Sequence, residues 1–166
     1  MTKIGVVSDT HIPYAAKSIP DIVLKKFSEE KVSLIFHAGD VVREEALYDL
    51  MGIAEVEAVH GNMDEADMRE NYPDKKIISV EDVKILLVHG WGDPYTLPYR
   101  LLEVYRDLKV DAIVFGHSHV PFNDSIEGIY LFNPGTPTDR IYAKRRSFGI
   151  IEVDGKDIRG RIIYID

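Results

Sequence analysis

Seven side chains stand out by type and place. Asp9 and His11 follow a short apolar run, Asp40 a second, Asn62 a third, His89 a fourth, and His117 and His119 a fifth. The intervals between these positions are each about one strand-plus-helix or hairpin unit. Two Asp, one Asn and four His are oxygen and imidazole donors that suit manganese, iron, zinc, nickel or cobalt better than thiolate-seeking Cu(I). Seven donors exceed one closed tetrahedral zinc site. They match two metals sharing a carboxylate, with open positions for water and substrate. Asp9 and His11, like His117 and His119, are two apart, which in extended backbone puts both side chains on one face. Gly39, Gly61, Gly90 and Gly116 beside them allow sharp turns and close approach.

Positioning such a set requires strands whose carboxyl ends share one edge, where open α/β sheets bind ligands. The apolar runs at 4–7, 34–36, 56–59 and 112–115 read as strands buried on both faces. A helix is predicted from about Pro20, with Ile19, Val23 and Phe27 at spacing four, and a second over 46–51, with Gly52 as its stop. A third stripe runs through Leu97, Leu101, Leu102, Tyr105 and Leu108. Residues 77–80 and 83–88 read as a hairpin turning at Glu81-Asp82. The runs at 129–132, 148–153 and 158–165 have no helices between them, and Asp154-Gly155 marks a further hairpin turn. No linker or repeat interrupts the chain, so one domain over 1–166 is expected.

Composition narrows the function classes. The 166 residues are 45% hydrophobic and 29% charged, and none is cysteine, which excludes thiolate metal sites and a cysteine nucleophile. Twenty basic residues against 28 acidic ones leave a net charge of -8, which disfavours a nucleic-acid polymer as partner. No apolar run matches a signal peptide or a membrane span, so a cytoplasmic protein without membrane association is expected; a homo-oligomer is compatible with the sequence. Phosphate-loop, HExxH and GxSxG signatures are absent, and Ser8 and Ser118 lack the setting of a nucleophile. His37 and His60, each just upstream of a glycine, read as supporting or structural residues. The basic run Lys144-Arg145-Arg146 reads either as a solvated turn or as a rim that attracts anions.

The blocks DTH at 9–11, GD at 39–40, GNMD at 61–64, HG at 89–90 and GHSH at 116–119 resemble the calcineurin-like metallophosphoesterases, and NPGTP at 133–137 resembles that family's NPGS block. Small size and this last block point to the compact bacterial and archaeal phosphodiesterase branch, which is also similar to Vps29. The resemblance implies an α/β fold, a four-layer αββα sandwich of two mixed sheets flanked by helices. It implies one metal on Asp9, His11 and His119, a second on Asn62, His89 and His117, and Asp40 bridging them. The metals would be two divalent ions, manganese first, with nickel, iron, zinc, cobalt or magnesium as alternatives. The implied activity is hydrolysis of small phosphate esters, a phosphodiesterase reaction by in-line attack of water activated between the metals. Asp40, Asn62, Asp64 and His60 are the residues expected to serve catalysis.

One position departs from the family pattern. Where many members carry a proton-donating His after the Asn of the GN block, this chain has Met63. Asp64, which orients that His in the family, is retained, and His60 is the substitute donor to consider. Two other functions stand beside the diesterase: a Vps29-like interaction scaffold, disfavoured because all seven ligands are present, and a phosphomonoesterase, disfavoured by Met63.

Overall fold

A computed structural model describes all of residues 1–166. Ten strands form two five-stranded sheets. The first contains β1 (Thr2–Val7), β2 (Leu34–His37), β3 (Glu55–Ala58), β9 (Ser147–Asp154) and β10 (Asp157–Tyr164), in the order β10-β9-β1-β2-β3. The second contains β4 (Lys75–Val80), β5 (Val83–Val88), β6 (Ala112–Val114), β7 (Phe122–Ile126) and β8 (Ile129–Asn133), in the order β4-β5-β6-β8-β7. Both are mixed. β1, β2 and β3 run parallel, as do β5, β6 and β8, while β9, β10, β4 and β7 pair antiparallel.

Alternation along each strand builds the layers. Ile4, Val6 and Phe36 point inward to meet Ile85, Leu87, Val114 and Phe132 of the other sheet, a fully buried core between the sheets. Val7 and Ile35 point outward, against Val23 and Phe27 of α1 (Asp21–Glu30), Leu50 of α2 (Tyr48–Met51) and Met68 of α3 (Ala66–Asn71). Leu86, Val88, Ile113 and Leu131 point outward from the second sheet onto Leu97, Leu101 and Leu102 of α4 (Leu97–Tyr105). The result is the expected helix–sheet–sheet–helix sandwich. Each buried Val, Leu, Ile or Phe contributes about 1.5–3 kcal/mol by leaving water.

The expected α1 starts just after Pro20, its capping residue, carries Asp21 in its first turn, and ends where Lys31 turns left-handed at φ 56°. Four elements differ from expectation. The helix over 46–51 is a 3-10 turn (Glu44–Leu47) followed by a single α turn, and Gly52 closes it in right-handed conformation, at φ -69°. The stripe ending at Leu108 finishes as a 3-10 turn from Arg106. α3 and β7 were not foreseen: α3 buries only Met68, and β7 has no buried residue. No helix is long and apolar enough to cross a membrane.

Candidate metal centre

The parallel strands of both sheets end at the same edge, and the loops leaving them carry all seven donors. Backbone pairing continues past the strand ends: Asp9 N–H donates to Gly39 O, His11 N–H to Asp40 O and Gly116 N–H to His89 O, each at 3.0 Å. These bonds zip the loops after β1 and β2 together, and likewise those after β5 and β6.

The backbone there is not extended. Asp9, His11, Asp40, His117 and His119 all adopt positive φ, between 46° and 69°. The pairs two apart therefore converge through left-handed turns rather than through strand alternation, which corrects the extended reading. Asp and His tolerate this region better than most residues, but each such position carries a cost that surrounding bonds must offset. Val42, at φ 83°, is the most strained of this group because it is β-branched. Gly61 is required for packing: a Cβ there would collide with Asp40 Oδ1 and approach the Asp40 nitrogen at 2.8 Å.

Two overlapping groups of ligand atoms result, Asp9–His11–His119 and Asp9–Asp40–His89, each within 4.8 Å of one another. Asp9 is fully buried. Its Oδ2 accepts bonds from Ser8 Oγ–H at 2.6 Å and His117 N–H at 3.0 Å. Its Oδ1 has no hydrogen-bond partner, and neither has the buried His11 Nε2. His11 Nε2 and His89 Nε2 both lie 3.8 Å from Asp9 Oδ1, and His119 Nε2 lies 3.3 Å from it. Unpaired buried polar atoms are costly unless something else satisfies them. A divalent cation suits these oxygen and imidazole donors.

Asp40 reaches both groups. Its Oδ2 is 3.5 Å from His11 Nε2 and 3.2 Å from His89 Nε2, and its Oδ1 accepts the Met63 N–H at 2.8 Å. Asn62 Oδ1 lies 3.1 Å from His89 Nε2. His89 Nδ1–H donates to Ala38 O at 2.7 Å, which leaves Nε2 for the site. His117 stands outside the two tight groups, its ring 5.4 Å from that of His89, and its Nε2–H donates to Gly92 O, leaving Nδ1.

The electrostatics favour positive charge where these groups meet. Burial opposes charging of His89 and His119, but Asp9 and Asp40 around the first, and Asp9 and Asp139 around the second, push both up to about 9. Burial likewise raises the carboxyls of Asp9 and Asp40, yet the facing imidazoles outweigh it and hold both below the usual range.

The remaining expected residues fall nearby in other roles. The Asp64 carboxylate accepts three backbone N–H groups, from Asp40, Val42 and Gly61, and so ties the loops after β2 and β3 together. Burial pushes its pKa up. It holds backbone rather than a side chain at position 63. His60 donates from Nδ1 to Tyr72 O at 2.8 Å and lines a polar pocket with Asn62 and His89. His37 is buried, accepts the Gly39 N–H at Nδ1 and meets Thr10 Oγ1 at 2.9 Å, a structural role as expected. Two residues of the basic run are engaged away from the metal centre. Arg145 covers the Tyr164 ring at 3.9 Å and donates to Asp166 O, and Arg146 pairs with the Asp166 carboxylate at 2.8 Å.

Two residues that sequence reasoning missed complete the site. Asp139, in the loop between β8 and β9, accepts the His119 Nδ1–H at 2.6 Å. Arg69 of α3 donates to Asp64 O and Asn62 O, fixing the Asn62–Asp64 turn. Thr136 and Thr138 of the same loop as Asp139 donate to the carbonyls of Asp9 and Thr10. The position of Asp139 just beyond the NPGTP block was the one available signal.

A profile of the calcineurin-like phosphoesterase superfamily domain matches residues 2–156. The chain belongs to this superfamily. A probable metallophosphoesterase of Methanocaldococcus jannaschii is 43% identical over 140 residues, 81% of this chain and 68% of the relative. Among solved structures, zinc-complexed Vps29 of Entamoeba histolytica superposes with a TM-score of 0.79 at 23% identity, covering 99% of this chain and all of that one. An archaeal phosphodiesterase superposes at 0.75 and 22% identity, over 98% of this chain and all of that one. Both structures share the fold. Superfamily membership and the named relative support a metal-dependent phosphoesterase.

Proposed function

We propose that the protein, acting as one domain, is a binuclear metal-dependent phosphodiesterase that hydrolyses small phosphate esters. Asp40 carries this reading, because a single carboxylate oxygen faces both the His11–His119 side and the His89–Asn62 side of the site. One metal is assigned to Asp9, His11 and His119, the other to Asn62, His89 and His117, with Asp40 between them and manganese as the first candidate. Bound divalent ions supply Lewis acidity to the phosphate and an acidified water for in-line displacement.

The chain's own residues do the rest. Ala38 O, Gly92 O and Asp139 hold the three imidazoles in one tautomer each. Arg69 holds the Asn62 turn. The loops zipped around Asp9 and Asp40 keep bulk water from these carboxylates, both of which are buried. Met63 offers a thioether that carries no proton, so leaving-group protonation at this place is absent. This favours diesters with good leaving groups over monoesters. His60 donates its Nδ1–H to Tyr72 O, so its Nε2 donates only when the ring is charged.

The likeness to Vps29 supports a scaffold reading, but all seven donors are present here, and the two unsatisfied atoms point into the site. The test is reconstitution of chelator-treated protein with manganese, elemental analysis, and comparison of bis(p-nitrophenyl) phosphate with p-nitrophenyl phosphate. Two metals per chain and preferred diester turnover are expected. Full metal loading without diester hydrolysis would sink the proposal.

A further inference from the structure

A cleft of about 500 Å³ opens beside the Gly116–His119 turn, walled by Tyr95, Tyr99, Ser118, Val120, Phe122 and Tyr142. It begins at the metal centre: Ser118 lies between His117 and His119, and the Tyr142 ring meets the His119 ring edge-on with centroids 6.5 Å apart. Its wall contains no lysine, arginine, histidine or carboxylate. It therefore offers no charged side chain to pair with a second phosphate. Tyr95 and Tyr142 are 92% and 82% exposed, large aromatic faces left to solvent. Pro94, Pro98 and Pro121 line the same cleft and stiffen it.

The opposite side of the centre is unlike it. There a pocket of about 230 Å³ carries the charged and polar side chains of His60, Asn62, Arg69, Asp74 and His89 beside Trp91 and Tyr105. A diester has two ester arms, and the site has two flanks of different chemistry.

We propose that the cleft is a subsite for an uncharged, planar aromatic ester arm of the substrate. The proposal rests on the phosphodiesterase reading. An aromatic ring there would meet tyrosine faces in offset or edge-on contact, worth roughly tenfold in affinity.

The test is calorimetric titration of the manganese-loaded protein with methylphosphonate and phenylphosphonate, which share an anionic anchor and differ only in the arm. Phenylphosphonate is expected to bind about tenfold tighter. Tyr99→Ala should bring that ratio near one, Tyr99→Phe should keep it, and Val120→Asp, which places a charge in the wall, should abolish it independently. Thymidine 5′-monophosphate separates the sources of the ring: tighter than phenylphosphonate assigns a nucleoside arm, weaker assigns a simple aryl arm, and either rank upholds the cleft. A ratio near one in wild type, or one unmoved by both Tyr99→Ala and Val120→Asp, overturns it. Hydrolysis of methyl p-nitrophenyl phosphate, followed in parallel, judges the diesterase reading alone. Its absence leaves the calorimetric ratio to decide the cleft.

Discussion

Asp139 Oδ2 lies 2.6 Å from His119 Nδ1, while Asp139 Oδ1 accepts the backbone N–H groups of Ile141 and Tyr142. One end of the carboxylate is thus anchored by the chain, and the other fixes the imidazole. With Nδ1 bonded to Asp139, Nε2 is the nitrogen aimed into the site, 3.3 Å from Asp9 Oδ1. Such carboxylate–histidine pairs make the ring a better and better-aimed ligand. Asp139→Asn should keep the two backbone bonds but present an N–H to Nδ1, moving the ring hydrogen to Nε2. Metal affinity should fall by about 10–100-fold with the fold retained. Titration of chelated protein with manganese, beside circular dichroism, checks this; unchanged affinity would show that Asp139 has no such role.

Asp40→Ala should be the most damaging single change at the centre, since it removes the oxygen that faces both His11 and His89 and an acceptor from the Met63 N–H. The expected outcome is loss of activity together with loss of metal, read as metal per chain after gel filtration. Normal occupancy in this variant would contradict the bridging assignment.

The strands and the geometry of the site were not equally legible in the sequence. Strands such as β1 and β5 announce themselves because both faces are buried and their runs are nearly all apolar. β7 has the sequence FNDSI and exists because β8 pairs with it, so its own residues carry no signal. α3 is six residues long and buries only Met68, too little for a period to show. The donors were legible because residue type survives folding, whereas the left-handed turns that aim them are set by loops pairing across the sheet edge. Asp139 is twenty residues from His119 and meets it only through the β8 loop.

His37 predicts a pH dependence of stability. Burial is the main cause that pushes its pKa down to about 3, from 6.5. A histidine whose folded pKa is lowered takes up its proton first in the unfolded state, so the native state loses stability as pH falls from 6.5 toward 3. Within that window the slope from this group approaches about 1.4 kcal/mol per pH unit. Urea melts of chelated wild type and His37→Gln between pH 7 and 4 should show the wild-type curve falling more steeply. Parallel curves would mean that His37 titrates normally.

Arg145 and Arg146 should matter to the chain end and not to the substrate. Both are engaged with Asp166, Arg146 in a charged pair and Arg145 through the backbone carbonyl and the Tyr164 ring. Partly exposed pairs of this kind contribute about 0–1 kcal/mol. The double variant Arg145→Ala/Arg146→Ala should lower the melting temperature slightly and leave KM for a nitrophenyl diester unchanged. A raised KM that salt reproduces in wild type would restore the anion-rim reading.

Met63 sets the dependence on leaving group. It is 54% exposed, its backbone N–H holds Asp40 Oδ1, and its side chain cannot supply a proton. A nitrophenolate departs unprotonated, whereas an alkoxide is far more basic and gains most from a positioned acid, typically about 10²–10⁴-fold. Wild-type kcat/KM should therefore fall steeply across diesters of increasing leaving-group pKa. Met63→His should flatten that slope and raise turnover of alkyl esters by at least about tenfold. The new ring would find Asp64 already accepting three backbone N–H groups, and would have to share Oδ1 with the Val42 N–H, so its gain should fall short of the upper figure. The measurement is the leaving-group series on both proteins at matched metal content. Equal slopes would place the proton donor elsewhere, and His60→Gln in the same series would then decide whether the pocket beside Asn62 supplies it.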